Sequence, residues 1–335
     1  MLPTGKLPLE LLESLIGQFH GVDDPSVVVG ARVGVDAAVI DIGAEYYLIA
    51  KTDPITFVTS RIGLYAITIN ANDIACMGGR PRWFLVTLLL PEEKTDEGLI
   101  KNIFSDLSEE CKKLNITICG GHTEVTYGID RPIVIGQMLG LVRKDRLLNP
   151  EHIKAGDKLI LTKGVGIEAT AIMAQEKEEE IRDRFGDEFQ KRCNNFIKDP
   201  GISVLEEAKI ICETGGVKAL HDPTEGGLAT ALCEMARPAK LGIRVYEENI
   251  IIPEETKKIC AYFGLNPLGV ISSGALLAAV RKELSKTIVK KLNASGISAS
   301  EIGEFTDEPG RYVIVSQGKD RPLSRFDRDE ITRIF

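Results

Sequence analysis

No Cys-x-x-Cys pair occurs in this chain, although it holds seven cysteines. An odd number at irregular spacing argues against a disulfide framework, and no Cys/His cluster has zinc-ligand spacing. Reduced thiols and a cytoplasmic location are the expectation. A dense Lys/Arg block is equally absent. The balance of 41 basic against 49 acidic residues gives a formal net charge of -8, without the electrostatic footprint of a nucleic-acid binder. No uninterrupted apolar stretch approaches membrane-spanning length, and Met1-Leu2-Pro3-Thr4-Gly5-Lys6 lacks the charged-then-apolar pattern of a secretory signal, so no membrane partner is expected. With no Ser-His-Asp signature and no Walker lysine loop, acyl transfer and P-loop hydrolysis are disfavoured.

What remains is an ordinary globular composition, 44% hydrophobic and 27% charged, over 335 residues, enough for two domains. Asn149-Pro150 and Ala155-Gly156-Asp157 break the pattern, which places a division between residues 1–150 and 151–335. In the first part, a helix around Leu9–Ile16 precedes strands at Val27–Val29, Ala37–Asp41 and Tyr46–Thr52. A helix from about Ser60 to the Gly78-Gly79 pair follows. Then come a strand Trp83–Leu90, a helix from Thr95 to about Leu114, and strands Ile116–Cys119 and Ile133–Val142 joined by a Gly120–Glu124 loop. The second part also mixes strands and helices. Five cysteines, Cys76, Cys111, Cys119, Cys212 and Cys233, lie in apolar patterns and read as core fillers.

Asp73 in Asn72-Asp73-Ile74-Ala75-Cys76-Met77-Gly78-Gly79 is a carboxylate inside an apolar helix. Such a group loses helix propensity and must be desolvated unless a cation, a backbone donor or an arginine meets it. Four further acids stand at strand ends or glycine turns: Asp36, Asp53, Glu124 and Asp222. Hard divalent cations such as Mg²⁺ are held by a few carboxylates while substrate phosphates and water complete the shell. Asp36, Asp53, Asp73, Glu124 and Asp222 are therefore the candidate metal ligands.

Gly226-Gly227 directly before the helix from Leu228 offers bare amides at a helix amino terminus, a geometry that attracts anions. Thr224 either caps that helix or contacts phosphate. Asp222, preceding Pro223, is biased to an extended backbone that aims its carboxylate outward. In Gly120-Gly121-His122-Thr123 the glycines allow close approach to the main chain, and His122 is a candidate acid, base or donor. Lys51 and Lys163 sit at strand ends beside a candidate acid or glycine turn, where either is a phosphate neighbour or an ordinary surface lysine.

Taken in order, Gly34-x-Asp36-Ala37-Ala38, Thr52-Asp53, Asn72-Asp73-Ile74-Ala75-x-Met77-Gly78, Gly120-Gly121-x-Thr123, Asp222-Pro223-Thr224-x-Gly226-Gly227-Leu228 and Ser273-Gly274-x-Leu276-Leu277 span nearly the whole chain. This series resembles the ATP-binding superfamily of aminoimidazole ribonucleotide synthetase, selenophosphate synthetase, thiamine-monophosphate kinase and the hydrogenase-maturation factor HypE, most closely the last. The resemblance implies a two-domain α/β PurM-like fold, a homodimer whose N-terminal mixed sheets form a barrel, and ATP with Mg²⁺ in a cleft between domains. It further implies an enzyme that activates an oxygen of a small-molecule substrate by phosphoryl transfer. Carried over by position, Asp73, His122 and Asp222 are the catalytic candidates. Asp36, Lys51, Thr52, Gly120, Gly121, Thr123, Thr224, Gly226 and Gly227 are the cofactor-binding ones.

Three departures from the pattern stand out. Val35 replaces the first Asp of the relatives' Gly-Asp-Asp-Ala-Ala, His122 replaces the Asp of HypE's glycine motif, and Ile331-Thr332-Arg333-Ile334-Phe335 keeps the cadence of HypE's Pro-Arg-Ile-Cys tail with Phe in place of Cys. The expectation is a separate substrate rather than tail chemistry. The alternative is a non-catalytic nucleotide-binding regulator with a maturation-factor partner.

Overall fold

The computed structural model describes residues 7, 9–19, 21–32, 35–326 and 328–335. Met1–Lys6, Val33 and Gly34, which carry the expected amino-terminal and Gly34-x-Asp36 features, lie outside them. The chain divides into two compact units: Asp23–Ala31 with Asp36–Leu147, and Met1–Val22 with Arg32–Val35 and Leu148–Phe335.

The first unit is built on a six-stranded mixed sheet. Its strands are β1 (Val27–Val29), β2 (Ala38–Asp41), β3 (Tyr46–Ile55), β4 (Arg80–Pro91), β5 (Thr117–Thr126) and β6 (Ile133–Arg143), in spatial order β1-β2-β3-β6-β4-β5. Every pairing is antiparallel except β4 with β5. Helix α2 (Ile62–Cys76) packs on β3 and β6, and α3 (Glu97–Leu114) packs on α2. All residues of α2 are buried, Thr68, Asn70, Asn72 and Asp73 included, so this helix is enclosed rather than amphipathic. By contrast α3 is amphipathic, capped by the Asp96 side chain on the Leu99 amide and ended by Asn115 in a left-handed conformation.

The glycine-rich segment expected as a loop is strand. Gly120–Glu124 is the middle of β5, paired with Leu85–Leu89 of β4. Glycines read as punctuation in a sequence, but here one is required by a neighbouring strand: Gly121 has φ 154°, and a Cβ on it would stand 2.0 Å from the Val86 carbonyl oxygen. β5 is the edge of the sheet, and Thr117 to Val125 are all exposed. Cys119, expected as a core filler, is exposed on this edge.

The second unit holds a seven-stranded sheet of β7 (Lys158–Thr162), β8 (Val217–His221), β9 (Gly242–Tyr246), β10 (Leu277–Val280), β11 (Ala299–Thr306), β12 (Tyr312–Ser316) and β13 (Lys319–Pro322). The order is β13-β12-β9-β11-β7-β10-β8, with only β12 and β9 parallel. Its helices are α4 (Ile167–Glu176), α5 (Glu178–Phe185), α6 (Asp187–Asn194), α7 (Leu205–Thr214), α8 (Gly227–Ala239), α9 (Glu254–Phe263) and α10 (Lys282–Ala294). Leu159, Leu161, Leu228, Leu232, Met235, Ile243, Leu277 and Phe305 lie in one continuous core. Helix α1 (Leu9–Gln18), assigned by a division at residue 150 to the first domain, is tied to this unit by Glu10 on Arg325 and Glu13 on Arg237, each at 2.8 Å.

Candidate active site

In the first unit, strand alternation places Lys51 and Asp53 on one face of β3, the face that α2 covers. Lys51 Nζ lies 3.2 Å from Asp73 Oδ2 and 3.6 Å from Asp53 Oδ2, so a single ammonium bridges the two carboxylates. Exposure grades across the group: the Asp73 side chain is 5% exposed, Lys51 20% and Asp53 34%. The buried acid of the helix has thus found the cation its position demands. Asn70, one turn before Asp73, donates to the Ala66 carbonyl at 2.9 Å and, more weakly, to the Asp53 carbonyl at 3.4 Å, which ties the end of β3 to the helix. Three residues beyond Asp73, the Cys76 sulfur lies within 4.8 Å of a carboxylate oxygen of Asp36. Lys51, Asp53 and Asp73 are therefore brought together, with Asp36 at the following turn of α2.

Other candidates of this unit stand apart from that group. Thr52 points to the opposite face of β3 and donates to the Gly136 carbonyl at 2.9 Å. His122 and Glu124, two residues apart on β5, pair with each other at 3.2 Å and are both exposed. Gly120 and Thr123 are exposed on the same strand. Among the described residues of this unit, no three Asp, Glu, His or Cys side chains bring ligand atoms within 4.8 Å of one another.

In the second unit, Asp222 follows β8 directly and is 1% exposed. Its neighbour His221 meets Glu234 of α8 at 3.0 Å. The amino cap of α8 is Gly226, which has no side chain to offer, and the Thr224 carbonyl accepts from the Gly227 amide at 2.9 Å. The Gly226 amide donates to Asp329 Oδ2 at 2.8 Å, and the other oxygen of Asp329 accepts from the Ile331 amide at 2.9 Å. A carboxylate from the C-terminal segment therefore fills the amino turn that the sequence marks for an anion. Gly227 is also explained by packing: φ is 62°, and a Cβ would lie 2.6 Å from the Leu268 carbonyl oxygen.

Two acids of this unit escaped the sequence reading. Glu168, in the first turn of α4, is 3% exposed, and its Oε2 has no hydrogen-bond partner among the described residues. Burial pushes its carboxyl up to about 8; the Ser273 hydroxyl opposes the shift, while Glu225, Asp329 and Asp222 add to it. Asp329 is likewise raised, to about 6, by burial and Glu225 against the pull of the Ile331, Gly226 and Ile271 amides. Glu168 carried the signal that singled out Asp73, an acid in an apolar run. Lys163 is no phosphate neighbour: it is buried against Glu207 at 2.7 Å and donates to the Gly201 and Ser203 carbonyls.

Comparison with known proteins places these observations. Residues 34–142 match the N-terminal domain of AIR synthase related proteins, and residues 154–316 match the C-terminal domain. A Methanocaldococcus jannaschii protein named for hydrogenase expression and formation is 29% identical over 316 residues, 92% of this chain and 91% of its own. The carbamoyl dehydratase HypE of Escherichia coli K12 is 25% identical over 286 residues, 84% of this chain and 81% of its own. A crystal structure of HypE in complex with ATP superposes with a TM-score of 0.74 at 22% identity, covering 92% of each chain. The two mixed sheets, their helices and the matches across both units mean that the chain belongs to the AIR synthase related family and has its two-domain PurM-like fold.

Proposed function

We propose that the protein is an ATP- and Mg²⁺-dependent enzyme that activates an oxygen of a small-molecule substrate by phosphoryl transfer. The observation that carries this reading is the Lys51–Asp53–Asp73 group within the segment matching the AIR synthase N-terminal domain. Oxygen-only donors suit Mg²⁺, and the ammonium on Asp53 and Asp73 marks a pair that requires positive charge. Asp36, Asp53 and Asp73 are the proposed holders of the ion, which when bound neutralises phosphate charge. Such catalysis is largely positioning and charge stabilisation.

A separate substrate is favoured by how Asp329, Glu330 and Ile331 are held. Asp329 caps Gly226, Glu330 accepts from the Asn266 amide at 3.0 Å, and Ile331 is fully buried. The long open edge of β5, with Ile118 and Val125 exposed, supports the proposed homodimer.

Calorimetric titration with ATP and Mg²⁺ tests the reading. Wild-type protein is expected to bind, and Asp73→Ala to bind at least about tenfold more weakly, a loss of ~1.4 kcal/mol, with its circular dichroism unchanged. No binding by the wild type ends the proposal. Phosphate release across a panel of small-molecule acceptors separates an enzyme from a regulator that binds without turnover.

A further inference from the structure

An acid in the middle of a buried helix needs a cation, and in this fold the cation is already part of the chain. Lys51 Nζ stands 3.2 Å from Asp73 and 3.6 Å from Asp53, with the lysine side chain only one-fifth exposed. The longer distance exceeds a normal hydrogen bond, so the ammonium holds Asp53 by charge more than by a directed contact. Its flexible four-carbon stem allows the head group to move, unlike the planar fork of an arginine.

A magnesium ion binds carboxylate oxygens at about 2.0–2.1 Å. Placed on Asp53 and Asp73, it would share the same two acids with an ammonium, and the two like charges would repel at short range. Occupation by metal and the contacts of Lys51 therefore compete. A bare cation arriving at this pair must draw the ammonium away from the two carboxylates. A metal ion that arrives with phosphate groups brings a new partner for the displaced lysine.

We propose that Lys51 is a built-in cation that guards the Asp53–Asp73 pair against bare divalent ions and moves to a phosphate oxygen when a metal–nucleotide complex enters. The second half rests on the nucleotide reading above; the first half stands on the lysine geometry alone. Lys51 is on this view a selectivity residue, setting the preference for complexed over free metal. Because coupling between ligands is reciprocal, nucleotide is expected to tighten metal binding in the wild type far more than in a variant without the ammonium.

The test compares full-length wild type with Lys51→Met. Free Mn²⁺, followed by electron paramagnetic resonance, is expected to bind Lys51→Met at least fivefold more tightly than wild type. Magnesium-ATP, followed by calorimetry, is expected to bind it at least fivefold more weakly. Unchanged or weaker Mn²⁺ binding in the variant overturns the guarding role, as does an absence of Mn²⁺ binding by both proteins. Equal magnesium-ATP affinity overturns the transfer to phosphate. If wild type takes no magnesium-ATP, the nucleotide reading falls, while the Mn²⁺ comparison still decides the guarding role. Should Lys51→Met fail to fold, Lys51→Gln, which keeps a donor for Asp73, gives the same comparison.

Discussion

Two lysines at strand ends, Lys51 on β3 and Lys163 after β7, are indistinguishable as sequence and opposite in role. Lys51 stays partly accessible between two acids. Lys163 is enclosed with Glu207 and two carbonyl groups, and burial pushes its ammonium pKa down while Glu207 opposes the shift. Removing one partner of such a buried pair strands the other, at a cost of about 3–5 kcal/mol. Lys163→Ala is accordingly expected to lower the urea midpoint sharply and, in whatever fraction remains folded, to leave magnesium-ATP affinity as it was. A large affinity loss without loss of stability would return Lys163 to the phosphate site. Asp73 was legible because a carboxylate violates an apolar helix; its cation was not, since Lys51 lies 22 residues earlier and only the packing of α2 on β3 joins them.

At the level of elements, strands and helices were mostly readable from periodicity, and the misses share a cause. Gly120–Glu124 carries loop composition but is strand because β4 lies alongside it in register. The Gly226 amide that opens α8 meets a carboxylate from Asp329, 103 residues on. Local rules do not reach either partner. The open edge of β5 makes its own prediction. Replacing Ile118 and Val125 by lysine together puts charge where a second strand would pair. Sedimentation velocity is expected to show a shift from dimer to monomer in the double variant; an unaltered dimer would locate the interface elsewhere.

For the molecule as a whole, the motif order along the chain revealed the two-domain family fold, whereas the acids gathered in the second unit emerge only once the chain is folded. Their raised pKa values have a definite sign. Glu168 holds its proton to about 8 in the folded state against 4.5 ordinarily, and Asp329 to about 6 against 3.8. The folded state thus binds more protons than the unfolded chain across that window, so stability is fullest below the ordinary values and falls as pH rises through 6 and then 8. The steepest dependence is about 1.4 kcal/mol per pH unit for one group. Calorimetric melting is expected to give a higher transition at pH 5.5 than at pH 8.5, and Glu168→Gln to flatten that slope; parallel slopes would deny Glu168 its buried proton. One surface thiol, finally, has a practical use. Cys111, Cys193, Cys233 and Cys260 have thiols pushed up to about 11–12, and Cys119 alone among the seven is exposed. A maleimide dye is therefore expected to couple there first wherever the β5 edge is not paired with a second copy, giving a fluorescent handle on that sheet margin without any engineered mutation.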